Sequence, residues 1–201
     1  MLYSNEINKN IKEKIIKTIG ILGLRSEDKN YFKKILIRKN LNNLIFSIEN
    51  NEDIIQKENN VLLMLYYCTY VKFFLDFNLI EKIFEININL LLGHENQGII
   101  LKDILNIFYE LLTTDIMSNN YNKINSDKLE EYLQFLLIIC ILEIKDSSGI
   151  NSSTKEISLL ILYQIIKIKK IDIYPDFSPK LSLNLNKSLS NSLLFQGKQK
   201  R

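Results

Sequence analysis

His94 is the only histidine in the chain, so any Ser-His-Asp or Cys-His nucleophilic machine would have to run through it. It stands in Gly93-His94-Glu95-Asn96-Gln97-Gly98, a glycine-flanked turn, and Glu95 is its one near neighbour of ligating type. A zinc site needs about four ligands. The histidine therefore reads as an exposed loop residue. Cys68 and Cys140 each lie inside an apolar run, as buried thiols of a reducing compartment do. A disulfide or a metal pair is the other use open to them, although no second ligand sits at zinc spacing. Glycines occur at 20, 23, 93, 98, 149 and 197, never in the order that cradles a phosphate. The acid pairs Glu27/Asp28, Glu52/Asp53 and Glu130/Glu131 read as helix-start residues favoured by the macrodipole. On these residues we expect no enzyme, no cofactor and no metal.

Charge gives a second kind of site. Lys33, Lys34, Arg38 and Lys39 share one short predicted helix and could meet phosphates or an acidic partner. They lack the interleaved aromatic residues on which bases stack. Lys167, Lys169 and Lys170 complement a helix C-terminus, and Lys198, Lys200 and Arg201 end the chain. The net charge of +3 falls short of the footprint expected of a nucleic-acid binder. Near the C-terminus, Leu193-Leu194-Phe195 is an apolar triplet that could dock on a partner or fold back on the chain.

The elements that must position these residues are helical. With 46% hydrophobic and 24% charged residues, the composition is globular. The organising stretch is 61–92: Val61 to Val71 carries no charge, and charges return only from Lys72. It predicts a buried helix, a short turn and a half-buried helix. Residues 5–24 predict an amphipathic helix with Ile7, Ile11, Ile15, Ile19 and Leu22 inward. Lys9, Lys12, Glu13, Lys14 and Lys17 would face out, and Gly23 would end the helix. Residues 31–38 and 41–48 predict short helices with a break at Asn40. Residues 99–112 predict a helix with Ile100, Leu101, Ile104, Leu105, Phe108, Leu111 and Leu112 inward. Residues 113–127 read as a polar loop. Residues 128–145 read as a helix that belongs at the centre, because Phe135–Leu142 has no polar face. Ser153 and Glu156 form a capping box for a helix from about Thr154 to Lys169. The runs Ile86–Leu90 and Ile166–Lys169 alternate, which leaves an α+β fold as the alternative.

The chain also appears twice over. Lys34-Ile35-Leu36-Ile37, Asn40-Leu41 and Ile45-Phe46-Ser47-Ile48 return as Lys72-Phe73-Phe74-Leu75, Asn78-Leu79 and Ile83-Phe84-Glu85-Ile86, at a constant offset of 38 residues. This pattern of long helix, short helix, Asn-Leu and apolar helix resembles the armadillo/HEAT class of helical repeats. It covers residues 10–92 clearly and 93–170 loosely. The glycine that armadillo repeats usually place before the last helix is absent, and Asn40 and Asn78 stand in that region.

The resemblance implies an all-α fold over residues 5–172, a short right-handed α-solenoid, followed by a flexible Ser/Leu/Asn-rich tail at 173–201. Arrays of that class offer a groove for another protein, so the expected function is a non-catalytic interaction or scaffold subunit of a larger complex. A nucleic-acid-associated repeat using residues 33–39 is the alternative, and an enzyme of unrecognised type the second. Charge interrupts the N-terminus where a signal peptide has its apolar core, and Val61–Val71 and Tyr132–Leu142 are shorter than the roughly 18–20 residues of a membrane span. We therefore expect a soluble intracellular protein, cytoplasmic or nuclear.

Overall fold

The stretch at 61–92 builds the hub as its composition requires. Asp53 opens the first of its helices, its carboxylate accepting from the Ile55 amide at 2.9 Å. The helix closes where the Val71 amide donates to Tyr67 O, and a 3-10 turn at Lys72–Phe74 redirects the chain. Asp76 then caps the next helix through the Leu79 amide at 3.0 Å. The computed structural model describes residues 8–32, 37–50, 53–93, 97–121, 126–145 and 152–169. In chain order the helices are α1 (Lys9–Arg25), α2 (Lys29–Tyr31), α3 (Lys39–Asn50), α4 (Ile54–Tyr70), α5 (Phe77–Leu92), α6 (Gln97–Leu112), α7 (Asp115–Asn120), α8 (Asp127–Lys145) and α9 (Ser152–Lys169). Among the described residues there is no strand, and Ile86–Leu90 and Ile166–Lys169 lie inside helices.

Packing follows a regular rule. α1 lies on α4, α4 on α6, and α6 on α9, while α3 lies on α5 and α5 on α8. Successive helices α3 and α4, α5 and α6, and α8 and α9 also touch. Phe84 of α5 and Phe108 of α6, both fully buried, meet with ring centroids 5.1 Å apart in a tilted pair. Burying one such ring contributes about 2–3 kcal/mol.

The 38-residue offset recurs at the starts of two helices. α3 and α5 begin 38 residues apart, at Lys39 and Phe77. The pairs Leu41/Leu79, Ile45/Ile83 and Ile48/Ile86 are all buried. Phe46 departs from the match: it is 66% exposed, whereas Phe84 is in the core. Asn40 is no break, since it lies in the first turn of α3.

α5 buries eight of its 16 residues, in keeping with the half-buried helix expected there, and it meets α3, α6 and α8. Two further expectations are corrected. Residues 113–127 are not all loop: Thr114 caps α7 through the Met117 amide, and Met117 is fully buried. α9 starts at Ser152, so Ser153 is already helical and cannot cap it. The tail at 173–201 lies outside the described residues.

Candidate interaction surface

α1 turns a different side inward from the one its isoleucines mark. Its buried residues are Lys12, Ile16, Gly20 and Gly23, whereas Ile11, Ile15 and Leu22 are exposed at 51%, 37% and 57%. The reason is close backbone approach. A methyl group on Gly20 would stand 2.4 Å from the carbonyl oxygen of Tyr70 in α4. One on Gly23 would stand 2.3 Å from the Phe32 ring. Only glycine at position 20 lets α1 sit this near α4, so Gly20 sets its rotation and the isoleucine stripe is left outside. Gly23 does not end the helix, which runs on to Arg25.

The contact is fastened at its edge. Tyr70 Oη donates to Glu13 Oε1, and Lys17 Nζ lies 5.7 Å from the centre of the Tyr70 ring. The hydrogen bond to Glu13, then burial, pushes the Tyr70 phenol up to about 12. Lys12 was expected outside and is 4% exposed; desolvation, then the charge of Lys9, lowers its pKa. Its methylene stem packs inward, as long amphipathic side chains do.

α8 is corrected in the same way. It was expected at the centre, but it meets only α5 and α9 among its major neighbours. Leu129, Leu133, Leu136 and Cys140 are buried, while Ile138, Ile141 and Leu142 are exposed. A helix without a polar face is therefore not always an inner helix. At its start, Glu130 ties three elements: it accepts from Tyr121 Oη at 2.6 Å, from Lys169 Nζ of α9 and from Gln134 Nε2. The Lys169 and Tyr121 bonds hold its carboxyl below the usual range.

The residues picked for chemistry scatter. Arg38 and Lys39 are exposed at the start of α3. Lys33 and Lys34, His94, and Leu193, Leu194 and Phe195 lie outside the described residues. Cys68 and Cys140 are buried free thiols. Burial raises the Cys68 thiol, and it pushes the Cys140 thiol up to about 12. Asp53 does open a helix, and Glu130 lies in the first turn of one. Among the described residues no group of three or more His, Cys, Asp or Glu could hold a metal, and no helix is long and apolar enough to cross a membrane. A shallow hollow lies beside the 3-10 turn, lined by Lys72, Phe73, Thr113 and Asp115. Lys72 there pairs with Glu110 at 2.8 Å and Thr113 at 3.1 Å, so its charge is already engaged.

Compared with protein-family models, curated proteins and solved structures, the chain matches none of them.

What the side chains do share is an apolar exterior at the first and last helices of the packing order. Large exposed hydrophobic residues occur on α1 (Ile11, Ile15, Ile21, Leu22, Leu24), on α3 (Phe46), on α8 (Ile138, Ile141, Leu142) and on α9 (Tyr163). Among the described residues the inner helices show them only at their tips, at Ile54 and Ile55 opening α4 and at Leu92 closing α5. Phe73 adds one more in the turn between those helices. The residue signal for the α1 surface was present in the sequence. Two glycines inside a helix cost about 1 kcal/mol each relative to alanine unless a close contact requires them.

Proposed function

We propose that the protein is a non-catalytic scaffold, an armadillo/HEAT-like α-solenoid that binds protein partners through the ends of its helix array. Two rows of helices account for the packing: α1, α4, α6 and α9 in one, α3, α5 and α8 in the other, with the chain crossing between them. Helices of one row then run parallel. Consistent with that, Gly20 meets Tyr70 near the C-terminal ends of α1 and α4.

The observation that carries the reading is where the exposed apolar side chains gather. Stacked helix arrays normally close with end units whose outer face is polar, because nothing follows to bury it. Here helices at both ends expose large apolar side chains among their charges. Exposed apolar surface on that pattern is surface a partner covers. The test is capture from an extract of the expressing cells on immobilised full-length chain, against variants Ile15→Asp and Ile138→Asp. A scaffold retains a saturable set of polypeptides, and at least one variant loses members of it. Identical retention by all three chains would overturn the reading. Retention of nucleic acid, falling steeply with salt, would favour the basic residues at 33–39 instead.

A further inference from the structure

We propose that the outward face of α1 is a docking seam for one amphipathic helix with an acidic edge, carried by a partner protein. This rests on the scaffold reading and names the chemistry of the occupant at one end of it.

The seam is geometrically a helix site. Ile11, Ile15, Thr18 and Leu22 follow one another at spacings of four, three and four residues. That alternation is the seam on which a second helix packs. At 3.6 residues per turn these positions fall within an arc of about 60°. Thr18 belongs to the row without a polar penalty, because its hydroxyl already donates to Lys14 O at 2.8 Å. The stripe cannot be reclaimed by the protein's own core. Turning it inward would turn Gly20 outward and set a side chain against the Tyr70 carbonyl. The exposure is therefore built into the packing of α1 on α4.

Charge selects the occupant. Lys14 and Arg25 are exposed along one side of the seam. The one acid of α1, Glu13, accepts from Tyr70 at the α4 contact. The exposed edge is thus cationic. A second copy docked through the same stripe would set Lys14 and Arg25 against their equivalents. The chain's own C-terminal segment fits poorly for the same reason: residues 170–201 hold Lys170, Lys180, Lys187, Lys198, Lys200 and Arg201 against only Asp172 and Asp176. Ile21 and Leu24, also exposed, lie beyond this row, so a lipid surface is the competing occupant that the test separates. A single helix with apolar residues at the facing positions and glutamates beside them satisfies both shape and charge.

The test uses the full-length chain and two labelled synthetic helices about three heptads long, both with leucine at the facing positions. One carries glutamate at the flanking positions, the other lysine. Fluorescence anisotropy should show the glutamate helix binding at least about tenfold more tightly, with the difference shrinking as salt rises. Ile15→Asp with Leu22→Asp should abolish that binding. Lys14→Glu with Arg25→Glu, both at exposed positions, should reverse the preference toward the lysine helix, an inversion that loss of folding cannot mimic. Equal affinity for both helices, no binding of either, or binding untouched by the seam variants would overturn the proposal. So would adsorption to phosphatidylcholine/phosphatidylserine vesicles with neither helix bound. If the seam fails while Ile138→Asp still loses partners in the capture experiment, this inference falls and the scaffold reading stands.

Discussion

Gly20 and Gly23 look interchangeable on paper and differ in what stands over them. A Gly20 methyl would meet a backbone carbonyl at 2.4 Å, and one on Gly23 the edge of the Phe32 ring at 2.3 Å. Backbone cannot yield and a ring can swing. Gly20→Ala should therefore lower stability by about 1–3 kcal/mol despite its gain in helix propensity, and Gly23→Ala should cost less, within about 1 kcal/mol. Urea unfolding midpoints at constant slope would measure both. Tyr70 gives a pH signature of the same contact. Its folded pKa of about 12 lies above the unfolded tyrosine value, held there first by the hydrogen bond to Glu13. The stabilisation is thus complete below about pH 10 and is lost as pH rises through the folded value. Tyr70→Phe should flatten that part of the alkaline decline, read as the difference between the two chains' stabilities across this range. Nothing in the residue pattern points to the partner of Tyr70. Glu13 is far from it in the chain, and helical periodicity reports which residues share a face without saying which face is covered.

Helices are where sequence patterns read best and also where they mislead. α6 was legible because its apolar and polar residues separate cleanly and it has helices on several sides, α4, α5 and α9 among them. α1 and α8 are legible as helices, but the inward face of α1 and the place of α8 are not, because burial depends on neighbours the pattern does not contain. α7 was missed because a six-residue helix is too short for periodicity to show. The orientation of α8 is testable directly. Leu136→Ala should cost about 2–5 kcal/mol, while Ile138→Asp should stay within about 0.5 kcal/mol. A large penalty at Ile138 would mean that its face is covered within the monomer. The same helix carries an acid-side signature. Glu130 has its folded pKa depressed, chiefly by Lys169 and then Tyr121, so its stabilisation is present above the unfolded carboxylate range and is lost as pH falls. Glu130→Gln should lower stability near neutral pH and remove part of the loss on acidification, in thermal melts taken from pH 7 downward.

At the scale of the molecule, the array proposed above has a middle and two ends, and on that proposal stability follows the same order. α4 and α6 have row neighbours on both sides, as does α5, whereas α1 and α8 have one. In a one-dimensional array, stability is close to a sum of unit and neighbour terms, so the ends open without the centre. Native-state hydrogen exchange should then show the slowest amides in α4, α5 and α6, with α1 opening earlier. Phe84 is the place to challenge this, since its ring is fully buried against Phe108 where α5 and α6 meet. Phe84→Ala should cost about 3–5 kcal/mol and raise exchange across all helices together, because it weakens an interface that both ends depend on. Ile16→Ala, at the α1 contact, should raise exchange in α1 while leaving α5 and α6 close to their original rates. A globule with one indivisible core would respond alike to both variants. Uniform exchange after Ile16→Ala would therefore overturn the proposed array.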